Sequence, residues 1–545
     1  MSSLLQPLKR RRTKSSKPSP TQGIKAFPVE ILTIIFEFLY DAASGILDDT
    51  PDRRAFPGSV YRPHGAGGGA YARGTKRSIT PAREVVKLEF PLHIVTGVCR
   101  LWRDIIHRLP EFLSRIVIFV DGPPTPLTSV QEQVKVARGL PLDVLVTRRV
   151  FKLGNDPEEK QLSDSEILAI LADEKAQVKE VVKLLPSLIP VSRSIIFDLQ
   201  YSSSLPYISL DFHGPAKFLR VLKLSCVQEG WDDAERLPFL DVVPNESPDD
   251  DFEAPLLSVL VLDGYTVVDV LFSDSWIRHM QSMSIDSLSI SHLNLLEWEN
   301  FPFTIHDLVH GLANFGALRS LVLFDIKMES GCGDDDGGSS FLVDNLTMED
   351  MDEACAEEFS VASYSHSTWC YFHVINTPIT YASIPLVHHL RLENIPNICH
   401  PEFNRSLTRF FGNRLDIDKC PELDDDHLEH IANSCLQLRR VYIKDCPGIT
   451  VRGLRMMISV RDDLVDESKD RIFEKLTIGH RDDTESLLGC TTEADEKIKL
   501  GHAGNKYGRQ DACPIHRLHV MGHPAKLSTA ERRWFERNLE SFSWT

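Results

Sequence analysis

The chain has 545 residues, 42% of them hydrophobic and 25% charged, with a formal net charge of −18. That length implies two or more units or a repeat array, and the composition is that of an ordinary soluble globular protein. The negative charge argues against broad nucleic-acid binding, which needs a cationic face to displace counterions. No apolar run approaches the ~20 residues that span a bilayer, so no membrane role is expected. The N-terminus lacks a secretory pattern, and the eleven cysteines form no compact framework, which reads as reduced thiols in an intracellular protein.

Residues 1–22 read as a disordered polar tail. Its run Lys9-Arg10-Arg11-Arg12-Thr13-Lys14 is either a nuclear import signal or simply part of that tail, so the expected location is cytoplasm, nucleus or both. Residues 23–115 read as helices around a flexible insertion. The first, within Phe27–Leu39, has Pro28 at a position where a missing N–H costs nothing. Ile31, Leu32, Ile34, Ile35, Phe36, Phe38 and Leu39 cover most of its circumference, and a helix apolar all round is buried on more than one side. Residues 41–80 carry Pro51, Pro57, Pro63 and the glycines Gly65, Gly67, Gly68 and Gly69, the composition of a surface loop. In Pro91–Trp102, Val95, Val98 and Trp102 recur at helical spacing, with Ile94, Cys99 and Ile105 beside them. The two segments hold more apolar surface than a small helical pair covers, and the surplus is what a partner-binding pair carries. The alternative is that both are core helices of one large domain.

The two segments resemble an F-box, the helical module that docks on the Skp adaptor of cullin–RING ubiquitin ligases. Phe27-Pro28-Val29-Glu30-Ile31-Leu32 is similar to its opening run and Val98-Cys99-Arg100-Leu101-Trp102 to its close. The departure is in the middle, where residues 41–90 stand in place of a short connection. The resemblance implies that Pro28, Ile31, Leu32, Ile35, Phe36, Val98, Cys99 and Trp102 form or buttress the adaptor-binding surface. Trp102 is expected to contribute the largest share, since buried tryptophans dominate interface energies.

From residue 116 the character changes. Ile116–Val120 is a short strand-like run, and a Leu-x-x-Leu-x-Leu pattern then recurs at Leu219, Leu257, Ile285, Leu318, Val387, Leu438, Phe473 and Ile515. The best register lies in 415–454, where Leu415, Cys420 and Leu428 align with Val441, Cys446 and Leu454 at an offset of 26 residues. That is within the range of leucine-rich repeats, in which each unit supplies one short strand to a shared core. The segment resembles the cysteine-containing leucine-rich repeats of many F-box proteins. The fold expected is therefore an F-box helical module over 23–115 followed by an irregular, horseshoe-like leucine-rich-repeat solenoid over 116–545, as in a fungal-type F-box protein. The competing expectation for 116–545 is an irregular α/β domain with leucine-rich strands.

Acidic runs near 244–253 and 330–358 read as solvated loops. A helix is expected over Ser163–Leu171, with Ser165 as a possible cap, and helical sequence again near 175–186. Ser528-Thr529-Ala530-Glu531 has capping-box spacing and predicts a final helix that covers the last strand.

Motifs of catalysis are absent: no Gly-x-Gly-x-x-Gly, P-loop or Gly-x-Ser-x-Gly occurs. Asp334-Asp335-Asp336-Gly337 lacks the ligand alternation of a calcium loop and would place Asn345 where the bidentate Glu belongs. Cys370/His373 and the run Cys513, His516, His519, His523 are read as ordinary side chains, because residues three apart on a strand face opposite ways. No cofactor, metal or catalytic residue is expected. The function implied is a non-enzymatic substrate receptor, bound to a Skp-type adaptor and through it to a cullin, holding an unidentified target protein on the repeats. The alternative is a leucine-rich-repeat scaffold outside any ligase.

Overall fold

The computed structural model describes residues 29, 31–35 and 99–108 and, with internal gaps, 114–545, the longest gaps being 150–162, 229–251, 329–341 and 479–511. The basic tail 1–22, the insertion 41–80, most of the acidic run 244–253, the triplet Asp334–Asp336, and Pro28, Phe36 and Val98 lie outside the described residues.

Fourteen strands follow one another along the chain: β1 Arg115–Phe119, β2 Leu142–Thr147, β3 Ser192–Tyr201, β4 Val221–Gln228, β5 Val259–Asp263, β6 Ser287–Asn294, β7 Ala317–Lys327, β8 Leu342–Glu349, β9 Trp369–Ile375, β10 Val387–Glu393, β11 Arg414–Asp418, β12 Arg440–Lys444, β13 Arg517–Met521 and β14 Ser541–Trp544. They form one sheet in strict chain order, every neighbouring pair parallel. Parallel neighbours cannot be joined by a tight hairpin and need a crossover of about a dozen residues or more, usually helical. Among the crossovers are the helices Leu127–Val136, Asp164–Val182, Ile305–Ala313, Asp425–Ser434 and Thr529–Asn538. Sequential order combined with a single crossover hand sends the connections to the same face.

Burial agrees with that geometry. On each strand one alternate set enters a continuous core with the helices: Ile116 and Ile118, Leu222 and Leu224, Leu288 and Ile290, Leu390 and Leu392, Val441 and Ile443, Leu518 and Val520. Helix residues Leu308, Leu312, Phe359, Leu428, Ile431, Leu454 and Phe535 fill the same core. The other alternate set makes an open sheet face.

At or near the ends of β5 to β13 one device recurs. Gly264, His292, Asp325, Asp350, Asn376, Asn394, Lys419, Asp445 and Gly522 all have positive φ, and several donate their N–H to the last carbonyl of the next strand, as Asn376 does to Glu393 and Asn394 to Asp418. Gly, Asn and Asp tolerate the left-handed region best. At Gly264 a Cβ would stand 2.6 Å from the His292 carbonyl oxygen, so the close approach also requires glycine.

This architecture corrects the expected one. The chain is not a helical N-terminal module followed by a leucine-rich-repeat solenoid; it is an α/β fold built on one fourteen-stranded parallel sheet with helices between strands. At seven of its eight sites the leucine pattern reports a strand, and no more than that. A repeat array needs a near-constant unit, whereas paired positions here lie from 18 residues apart, Phe372 to Leu390, to 77 apart, Val441 to Leu518.

Smaller corrections have similar causes. Phe473, Leu476 and Ile478 belong to the long helix Val451–Ile478, not to a strand; short apolar runs do not distinguish the two by themselves. The acidic run within 330–358 is a solvated loop neither at Leu342–Glu349, which is β8, nor at Glu353–Ser363, a helix. Ser163, not Ser165, caps the helix Asp164–Val182 through a capping box with Glu166. The chain ends on β14, after the helix predicted from Ser528, whose capping box with Glu531 is present. The 26-residue alignment appears as pairing: Leu415, Asp416 and Ile417 sit opposite Val441, Tyr442 and Ile443.

Candidate protein-interaction face

The open face changes chemistry along the sheet. At β1–β4 it is mixed, with apolar contacts of Phe119 on Val117 and Val227 and of Leu145 and Ile196 beside Val117, next to Asp143, which receives Arg193 and Ser194, and Asp198, which receives Ser225. Across β6–β8 it is small and polar, with Ser287, Ser289, Ser291, Ser320 and Thr347 all buried. From β9 to β13 it is charged.

That last zone is an ordered lattice. Alternation sets Tyr371 and His373 of β9, His389, Arg391 and Glu393 of β10, Arg414, Asp416 and Asp418 of β11, and Arg440, Tyr442 and Lys444 of β12 on the face opposite the core. Asp416 takes a forked pair of bonds from Arg414, Nε to Oδ1 at 2.9 Å and Nη2 to Oδ2 at 2.8 Å, and lies 3.0 Å from His389 Nε2. Glu393 receives Arg391 at 3.1 Å and the Lys419 ammonium. Asp418 is reached by Arg391 at 3.4 Å and Lys444 at 3.2 Å. Tyr371 presents its ring to His389, centroids 4.6 Å apart. Arg440 and Arg517, register partners across β12 and β13, are exposed.

The lattice resets its own acidities. Burial pushes the Glu393 carboxyl up, but the neighbouring His373 imidazole, the bond from Lys419 and the charges of Arg391 and Lys419 outweigh it, so the pKa falls to about 2. Asp416 also lies below the carboxylate range, since His389 and Arg414 outweigh its burial. Burial holds the His373 imidazole below its ordinary value, against the pull of Glu393, whose carboxylate is 3.6 Å away. Such an array is pre-oriented: the carboxylates fix the cationic side chains before anything binds, which lowers the ordering cost of docking. Sequence reasoning points only to Arg439, Arg440 and Lys444, a basic group near one strand, and does not single out the carboxylates and histidines around them. The signal is nevertheless present in VHHLRLE, RLDID, RVYIK and RLHVM, where charged or polar residues alternate with the apolar ones.

Of the residues expected to bind an adaptor, Ile31, Leu32, Ile35, Cys99 and Trp102 are described. Residues 31–35 are helical. Leu32 is 2% exposed, whereas Val29, Ile31, Ile34 and Ile35 are 46%, 41%, 59% and 41% exposed. Trp102 is half-buried in the helix Arg100–Arg108. Its backbone N–H meets the Cys99 sulfur at 3.5 Å, so Cys99 acts as a cap of that helix. Cys370 is exposed and His373 buried. In the C-terminal run, His516 faces Glu540, His519 faces Ser543 Oγ, and His523 faces the Ile449 carbonyl; these three do not converge.

No helix among the described residues is long and apolar enough to cross a membrane. No family model matches the chain, and no curated protein matches it.

Proposed function

We propose that this chain is a non-enzymatic receptor that brings a target protein to a ubiquitin ligase, docking on a Skp-type adaptor through its apolar N-terminal stretch. The observation that carries the reading is the exposure of Val29, Ile31, Ile34 and Ile35 on one short helical stretch. Four large aliphatic side chains left in water within seven residues are a feature that marks interaction sites. They fall on the sequence that resembles the opening run of an F-box. Leu32 and Ile105 are buried and would hold the stretch in place, and Trp102 would position it. The charged zone of the open face would hold the target. Transfer itself would belong to other subunits, so the chain contributes proximity and orientation. The scaffold alternative has no observation of its own in its favour.

The test is co-purification of the full chain with a Skp-type adaptor. Ile31→Asp combined with Ile35→Asp is expected to abolish retention without moving the thermal unfolding midpoint, and Trp102→Ala to reduce it. Equal retention of the wild type and both variants overturns the reading, and absence of retention for the wild type does so directly.

A further inference from the structure

Cys226, Asp263 and His292 stand at the C-terminal ends of β4, β5 and β6, three neighbouring strands. In parallel α/β sheets this is the edge where ligands bind. One potential donor atom of each residue lies within 4.8 Å of the other two. His292 Nδ1 is 3.0 Å from Asp263 Oδ2. Cys226 is 7% exposed and Asp263 0%.

The Asp263 carboxylate is the unusual member. Its Oδ2 receives the Cys226 N–H at 3.0 Å, the His292 ring and, at 3.5 Å, the Ser291 hydroxyl. Its Oδ1 is buried without a hydrogen-bond partner among the described residues. No Lys or Arg pairs with it among the described residues, in contrast to Glu393, Asp416 and Asp418 of the charged lattice. A fully buried carboxylate with a vacant oxygen is costly unless a cation compensates it. A thiol and an imidazole each place a donor atom within 4.8 Å of a carboxylate oxygen of Asp263.

We infer that Cys226, Asp263 and His292 bind a divalent transition-metal ion of the zinc class. The donor set selects the metal: thiolate and imidazole favour Zn2+ and disfavour Mg2+ and Ca2+, which prefer oxygen ligands. Tetrahedral bonds of about 2.0–2.3 Å set ligand atoms roughly 3.3–3.8 Å apart, so a small inward rotation of these side chains closes the set. On binding, the Cys226 thiol gives its proton to solvent and its sulfur bonds the metal. The Asp263 Oδ1 lone pair gains its missing partner. Three protein ligands leave the fourth position to water, which has a route past His292, whose side chain is 15% exposed. Left-handed φ at His292, +52°, turns the chain at this residue, a conformation histidine adopts more readily than most. The inference does not depend on the receptor reading.

The test uses the full chain stripped of metal and titrated with Co2+, followed by absorption. The expected result is one tight Co2+ per chain with a thiolate-to-cobalt charge-transfer band. Cys226→Ser should lose that band. Asp263→Asn, which keeps the shape of the side chain, should weaken binding by more than the roughly 10–100-fold that follows loss of a residue merely orienting a ligand. Cys513→Ser should leave the band intact. Circular dichroism of each metal-free variant checks that it folds, and His292→Gln stands in for either variant that does not. Absence of the band in the wild type, or its survival in Cys226→Ser, overturns the inference.

Discussion

Arg461 offers the sharpest test of how the C-terminal end of the sheet is held. Its side chain is among the largest fully buried ones, at 0% exposure, and no carboxylate pairs with it among the described residues. Instead it donates to four carbonyls: Ala432 at 3.0 Å, Leu438 at 3.4 Å, Cys513 at 2.9 Å, and Leu436. Those oxygens belong to the end of the helix Asp425–Ser434, the approach to β12, and the chain just before β13. One guanidinium therefore ties the incoming strand β13 to the body of the sheet across the 479–511 gap. Burial depresses its pKa, yet the planar fork is the group that can reach several carbonyls at once. Arg461→Leu removes the donor; the Leu436 carbonyl keeps the Cys513 N–H at 2.9 Å, while the Ala432, Leu438 and Cys513 carbonyls lose the guanidinium, at about 1–3 kcal/mol for each one left unpaired that water does not reach. Some relaxation is expected and the buried charge is removed as well, so the net cost is about 3–5 kcal/mol from the carbonyls that lose their donor. The loss should be local, because β13 and β14 are the last strands of the sheet and open independently of β1–β4. In native-state hydrogen exchange, amides of 515–545 should exchange between roughly a hundred- and a few-thousand-fold faster, at one decade per 1.4 kcal/mol. Arg461→Lys should lie between, since one ammonium cannot span the four oxygens. Unchanged exchange in 515–545, or an equal rise in β1–β4, refutes the clamp.

Three further outcomes follow from buried acids and bases. Asp269 is buried, and that burial, partly offset by bonds from Ser209, raises its carboxyl to about 6. A raised acid loses stability as pH climbs from the unfolded carboxylate value through the folded one, so Asp269→Asn should stabilise the protein at pH 7 and not at pH 4 in urea melts; no gain at pH 7 contradicts the assignment. For His373 the folded pKa is lowered, so the unfolded chain takes up its proton first and stability falls as pH drops below about 6.5. His373→Gln should flatten that slope. Glu393 works in a lower window: its depressed pKa gives stability above the unfolded carboxylate value that is lost as pH falls towards about 2, and Glu393→Gln should remove that part of the acid limb.

Much of the strand set is legible because burial on one face imposes a period of two. Leu222 and Leu224, Leu260 and Leu262, and Leu321 and Leu323 announce β4, β5 and β7 in that way. β2 is not legible, since Leu142, Val144, Leu145 and Val146 are buried on both faces and the alternation is lost. β8 is obscured by acid: Asp344 and Glu349 flank Leu346 and Met348, and such charge density reads as a solvated loop. The global arrangement is the harder step. Period and spacing report which residues face a core, whereas the assembly of strands depends on crossovers whose lengths vary too widely here to announce it. The metal-ligand cluster is illegible for a related reason, as Cys226, Asp263 and His292 come from three separate strands and only parallel stacking brings them together.

The negative charge of the chain also takes on a different meaning in the fold. Composition alone sends the acid to surface loops, yet several carboxylates are buried where strands end and backbone donors lack a ladder partner. Glu174, 0% exposed, receives the N–H groups of Gln200 and Tyr201 at the end of β3, both at 3.1 Å, and the guanidinium of Arg148 at 2.7 Å. Asp263 receives Cys226 N at the end of β4. Asp121 receives Arg149 N beyond β2 at 2.8 Å. A buried N–H without an acceptor costs about as much as a lost hydrogen bond, and a long parallel sheet with uneven crossovers creates such donors at each edge. Carboxylates are acceptor-only groups with several lone pairs, suited to satisfying two donors at once. Part of the acid that the composition presents as solvation is therefore structural. Replacing these residues by Lys or Ala would open strand ends without touching the apolar core.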